Sequence, residues 1–274
     1  MTAAVRRPDS TGPGPATLAA ALLRISDAQG GPRGVGFLVT DDLAFTCAHV
    51  VSAALGLRDG ARPPTGAEVV VDLPLAEAPP EPDPSSPPRA SARVERWVPA
   101  QDSGAGDIAV LRLVSPLPGA RPVRLVEASD TWGHPARAFG FPVGRPGGAW
   151  HSGVLRARQA GGWVQADLAA SGGYRVTGGF SGSPVWDDEL GGVVGMITVA
   201  EAGEPPAGYL IPTGTLVAAQ PGLRALALPP SPFRGLAAFR EADAGRFHGR
   251  AAESAELAER VTGQRWTCLV GPSG

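Results

Sequence analysis

The sequence predicts an all-β chain in two halves, each about the size of a small barrel, followed by a short segment of different character. Three observations lead there. Apolar runs of strand length recur through residues 18–222, with Gly, Pro and Asp at the breaks. The 38 glycines and 29 prolines make up about a quarter of the 274 residues, yet they are spread among those runs, as many turns between many strands require. Hydrophobic residues are 43% of the chain, enough for a sizeable core.

The elements follow in order. Residues 1–17 are expected to be a flexible N-terminus, polar and rich in Pro and Gly. In the first half, 18–118, strands are expected at 21–26, 35–40, 43–51, 68–73, 92–98 and 107–114. Each is an alternating or continuous β-compatible run bounded by turn residues. SAALGL (52–57) suits a helical turn. PLAEAPPEPDPSSPPRA (74–90) reads as a surface loop, because its prolines cannot donate to a ladder. In the second half, 119–222, strands are expected at 136–142, 148–158, 163–168, 181–186, 191–200 and 208–212. A closing helix is expected over 213–226 and a proline-rich linker within 223–232. The remainder, 233–274, changes composition: AAESAELAERV (251–261) has helical propensity, and QRWTCLVGPSG reads as a buried strand entering a glycine-containing turn.

Composition excludes several partners. The net charge of −2 gives no basic field for nucleic acid or an anionic membrane. No apolar run approaches the roughly 20 residues of a membrane span, and the N-terminus lacks the apolar stretch of a signal peptide. Two cysteines, Cys47 and Cys268, in what read as different domains, do not make a disulfide framework. A reducing, cytoplasmic setting is expected. All 24 basic residues are arginine, and the chain has neither lysine nor asparagine, which a GC-rich genome explains.

Chemistry concentrates in three segments: FTCAHV around His49, GDIAVLRL with Asp107, and GFSGSPVW around Ser181. A serine hydroxyl holds its proton at neutral pH. A histidine within reach can remove that proton, and a buried aspartate can hold the imidazole in the right tautomer. A pair of backbone N–H donors must face the developing oxyanion, and Gly179 and Gly182 permit such a turn around Ser181. The other histidines are less informative. His134 (TWGHP) and His151 (AWHSG) read as surface or turn residues. Without a partner at ligand spacing, no zinc site is expected. Cys47 reads as a small core filler on a strand.

On these segments, together with GVGFLVTDDLAFTCAHVV, GGVVGMITV and GYLIP, residues 18–222 resemble a disulfide-free bacterial trypsin/chymotrypsin-like serine peptidase. The resemblance implies two six-stranded antiparallel barrels (about 18–118 and 119–222) with the active site in their crevice. It implies His49 as general base, Asp107 as its orienter and Ser181 as nucleophile, with the N–H groups of Gly179 and Ser181 as the oxyanion hole. No metal or cofactor is implied, and the substrate is a protein or peptide. A catalytically silent relative that binds a peptide or protein partner is the alternative.

The chain departs from secreted trypsins where an aspartate precedes the nucleophile and receives the new N-terminal amine. Here that position is Phe180, so control must lie elsewhere. By the family's spacing, Arg175 occupies the base of the specificity pocket, where it would favour acidic side chains; alternatively it faces solvent. Thr198 and Ala200, on the strand expected to pair with substrate, are the candidates to shape that pocket.

Residues 233–274 resemble the opening of a STAND-type signalling NTPase, on PFRGLAAFREADAGRFHGR and WTCLVGPSG. That family contacts the nucleotide base through the FxGR segment, here Phe247 to Arg250. GPSG supplies only the first part of a phosphate loop, so ATP and Mg are expected only in a longer protein with a complete loop. In such a protein the peptidase would be an effector held or released by a native C-terminal NTPase and sensor region.

Overall fold

The computed structural model describes residues 15–58, 61–75, 89–101, 105–169, 173–200, 207–228, 249–264 and 266–268. The chain forms two compact units, Met1–Pro230 and Ser231–Gly274.

The first unit opens with a short helix, α1 (Pro15–Ala21), where the sequence suggested loose chain up to residue 17. β1 (Leu22–Ser26), β2 (Pro32–Leu38), β3 (Leu43–Thr46), β4 (Glu68–Asp72), β5 (Arg89–Val98) and β6 (Ile108–Leu113) close into an antiparallel barrel in the order β1-β2-β3-β6-β5-β4. Much of the expected 74–90 loop lies outside the described residues. Strand β3 stops at Thr46, earlier than expected, and helix α2 (Ala48–Ala54) takes over. Phe37 and Phe45 face each other across β2 and β3 with ring centroids 6.1 Å apart, both fully buried. Such a pair contributes about 0.5–1.5 kcal/mol beyond its area.

After β7 (Leu125–Val126), the second barrel is built from β8 (Pro135–Gly140), β9 (Ala149–Arg158), β10 (Val164–Leu168), β11 (Pro184–Asp187), β12 (Gly192–Ala200) and β13 (Ala207–Pro212). These six pair antiparallel in the order β11-β8-β9-β10-β13-β12, and the β11–β12 pairing closes the ring. The two six-stranded barrels are the expected fold class.

The expected closing helix is two pieces, α3 (Thr213–Ala219) and a 3-10 turn over Pro221–Leu226. The expected linker is, as far as residue 228, part of this unit. β14 (Ala227–Leu228) pairs in parallel with β7, which itself lies parallel to β12.

Apolar burial is continuous between the barrels. The core of the first runs on through Phe139, Phe141, Trp186 and Met196 of the second. That explains why β2, with buried Gly34 to Leu38, is apolar on both faces: one faces its own barrel and the other is covered. A further core around Leu155, Val176, Phe180 and Ile197 fills the second barrel.

In the second unit, α4 (Ala251–Gly263) has no buried residue. Trp266–Cys268, expected to begin a buried strand, are exposed and belong to no strand. Phe247, His248 and the GPSG segment lie outside the described residues. Among the described residues no helix is long and apolar enough to cross a membrane.

Candidate active site

His49 sits in the first turn of α2, because the chain turns from strand to helix at Cys47. Asp107 precedes β6 and adopts φ +57, directly after Gly106 at φ +82. A non-glycine residue in this left-handed region is strained by roughly 1–3 kcal/mol and persists only where its surroundings hold it. What holds it is evident. Asp107 Oδ1 accepts the His49 backbone N–H at 3.0 Å, and Oδ2 lies 2.8 Å from His49 Nδ1. Oδ2 also accepts the Thr198 hydroxyl at 2.6 Å. Burial opposes ionisation of Asp107. The His49 ring bond, its charge, the Thr198 hydroxyl and the His49 N–H outweigh it, and the carboxyl sits below its ordinary value. The carboxylate therefore fixes Nδ1 as the protonated nitrogen and leaves Nε2 to accept. The His49 side chain is 39% exposed, so its ring can be reached from solvent.

Ser181 lies in the loop between β10 and β11. The loop is wound by Phe180 N–H to Thr177 O (3.2 Å) and Ser183 N–H to Phe180 O (2.9 Å). Gly182 N–H donates to Ile197 O at 2.8 Å. Two glycines are required here. Gly182 has φ +84, and a Cβ on it would overlap Val35 O. Gly179 has φ +98, and a Cβ on it would overlap Phe141 O. Among the described residues, the N–H groups of Gly179 and Ser181 have no acceptor, whereas those of Phe180, Gly182 and Ser183 do. Both residues, Gly179 and Ser181, are half-buried.

The Ser181 hydroxyl donates to Thr198 O at 3.5 Å, and no hydrogen bond joins it to His49. His49 and Asp107 thus meet within the first barrel, while Ser181 and Thr198 come from the second. Val35 N–H joins the two by donating to Ser181 O at 2.9 Å.

Thr198 had been expected to shape a pocket, but its buried side chain bonds Asp107 instead. Arg175 is exposed, next to buried Val176. Ala200 ends β12, and its side chain lies outside the described residues. His151 is a correction: it is a buried residue of β9, not a surface one. Its Nδ1 lies 2.9 Å from Tyr174 O, and its ring meets Phe180 edge-on at 6.4 Å. Phe180 also stacks on Tyr174 at 6.0 Å. The residue before Ser181, the position where the sequence departs from secreted trypsins, is here an aromatic plug in the second barrel.

Cys47, the expected core filler, is fully buried ahead of α2, with its thiol 3.3 Å from Ile197 O. Cys47 Sγ, a His49 ring nitrogen and an Asp107 oxygen lie within 4.8 Å of one another. As metal donors they are poorly suited. Burial and the Asp107 charge hold the thiol protonated, its pKa well above the usual value, and Nδ1 and the carboxylate are engaged with each other.

A family model described as Trypsin-like peptidase domain matches residues 34–196. One described as Novel STAND NTPase 1 matches residues 232–274. None of the curated proteins compared matches the chain. Among solved structures, the MamO protease domain from Magnetospirillum magneticum (apo form) is similar at TM-score 0.52 and 18% identity, over 74% of this chain and 96% of that one. A serine endoprotease from Yersinia pestis is similar at TM-score 0.55 and 19% identity, over 80% of this chain and 68% of that one. At such identities the likeness is one of fold.

Proposed function

The chain belongs to the trypsin-like peptidase family, and from that premise we propose that it is a serine endopeptidase acting through an acyl-enzyme. The observation that carries this is the strained Asp107 holding His49 Nδ1 at 2.8 Å, beside a serine loop in which the N–H groups of Gly179 and Ser181 have no acceptor among the described residues. In this reading Ser181 Oγ attacks the scissile carbonyl while His49 Nε2 takes its proton. Asp107 stabilises the imidazolium that forms. The N–H groups of Gly179 and Ser181 receive the oxyanion, and His49 returns the proton to the leaving amine. Water then takes the place of Ser181 as nucleophile and releases the acyl group by the same route. The hydroxyl must first leave Thr198 O for His49, and contacts of this kind are commonly loose in a free enzyme.

The STAND match at 232–274 supports a longer protein in which an ATP-binding region governs the peptidase. ATP and Mg would belong to that region alone. A cytoplasmic setting, with both cysteines free as here, fits this arrangement.

A fluorophosphonate probe with mass-spectrometric location of the adduct tests the reading, because labelling needs nucleophile, base and oxyanion hole but no known substrate. Labelling at Ser181 that vanishes in Ser181→Ala is the expected outcome. A folded, unlabelled protein would favour the second reading, a peptide-binding module. The Ser181 bond to Thr198 O rather than to His49 is the observation on its side.

A further inference from the structure

One row of the first barrel ends beside the serine loop. Val35, Arg24 and Asp72 lie directly opposite one another across β2, β1 and β4, and directly opposed residues share a face of a sheet. At one end of the row, Val35 N–H carries Ser181 O at 2.9 Å, and Val35 O abuts Gly182. In the middle, Arg24 is clamped by Asp72. Its Nε lies 3.1 and 3.2 Å from the two carboxylate oxygens, and a terminal nitrogen lies 2.8 Å from Oδ2.

The same guanidinium lies 5.6 Å from the ring centroid of Phe141, in the second barrel. Phe141 N–H in turn donates to Gly179 O at 2.9 Å. Two residues earlier, Phe139 N–H donates to the Ser183 hydroxyl at 3.1 Å. The end of β8 therefore brackets the serine loop, and Arg24 presses on that bracket from the other barrel.

The Asp72 carboxylate is almost fully buried. A buried ion pair seldom adds stability over apolar residues of the same shape, so stability is a weak reason for one here. A planar cation held in one orientation by a carboxylate is, however, a good fixture for an aromatic ring. The geometry points to Arg24 as a positioning residue for the oxyanion hole, acting through Phe141 on the backbone of Gly179. This rests on the peptidase reading above.

The test compares Arg24→Met, Arg24→Lys, Phe141→Leu and their combinations in the full chain. Arg93→Met, which removes an exposed pair with Glu68 on the same barrel, is the control. Steady-state kinetics on a peptide from library profiling should show kcat lowered about ten- to a hundredfold in Arg24→Met, with KM within about twofold, because the lost alignment matters in the transition state. Phe141→Leu should act alike, and the double variant should lose no more than the larger single loss. Arg24→Lys should recover the unfolding midpoint but not kcat. A folded Arg24→Met with unchanged kcat, or losses that multiply with those of Phe141→Leu, would overturn the proposal.

Hydrogen exchange supplies a reading that does not need turnover. Arg24→Met should speed exchange at 139–141 and 177–183 and leave β3 and β6 unchanged; unchanged exchange at 177–183 sinks the idea. If wild-type protein turns nothing over while this exchange pattern appears, the peptidase reading fails and with it the role in catalysis, and only the ordering of the serine loop by Arg24 stands. If Arg24→Met does not fold, Phe141→Leu, which keeps the ion pair, decides by the same two readings.

Discussion

Asp107 shows how one residue can set a site. Its left-handed backbone turns the carboxylate back onto α2, where it binds both the N–H and the ring of His49. The third bond, from Thr198, crosses from the other barrel. Thr198→Val should therefore lower kcat/KM about tenfold, most of it in kcat, while Thr198→Ser stays near wild type; steady-state kinetics will show it. That role was not legible in the sequence. Within GMITVA a threonine reads as one more β-branched wall residue, and nothing local indicates that β12 lies against a loop 91 residues earlier in the chain. The spacing of His49, Asp107 and Ser181 was legible because each stands in a local pattern with its own chemistry. Arg175 was located by counting alone, and counting does not say which way a side chain turns.

Strand positions were the most readable elements, since β-compatible runs bounded by Gly and Pro leave few alternatives. The misses have physical causes. Val50 and Val51 gave α2 the look of a strand, and both are buried on one side of the helix instead. β7 and β14 are two residues each, too short for any periodicity. His151 was read as a surface residue because a polar residue flanked by Trp150 and Ser152 resembles a turn, yet alternation along β9 turns it inward. His134, read as a surface or turn residue, is half-buried just before β8 and lies 2.7 Å from fully buried Asp187. That hydrogen bond, with the charges of Asp187, Glu189 and Asp130, outweighs burial and raises the imidazole above 6.5. A raised folded value means stabilisation present in full below the unfolded value and lost as pH rises through the folded one. Thermal denaturation should show His134→Gln to cost more at about pH 5.5 than at about pH 9. An equal loss at both would count against the ion pair.

At the scale of the molecule, the two barrels share apolar core and one seam that carries the candidate site, and Cys47 lies in that seam. Its thiol is buried and held protonated, whereas Cys268 is exposed. Iodoacetamide at neutral pH should therefore add once to the native chain and twice in denaturant, counted by intact mass. Rapid double addition in native buffer would mean that the seam opens. The two-barrel plan was legible from the sequence, but the seam was not, because its bonds, Val35 to Ser181 and Thr198 to Asp107 among them, join residues far apart in the chain. The order of closure has a further consequence. The first ring is complete once residue 113 has been made, and with it the His49–Asp107 pair. The second closes only when β13, the last of its six strands, pairs with both β10 and β12. Until residue 212 has left the ribosome, Ser181 belongs to an open sheet. On the peptidase reading, a half-synthesised polypeptide thus carries the His49–Asp107 pair without a seated Ser181, and it would not cut the unfinished chains beside it on a polysome.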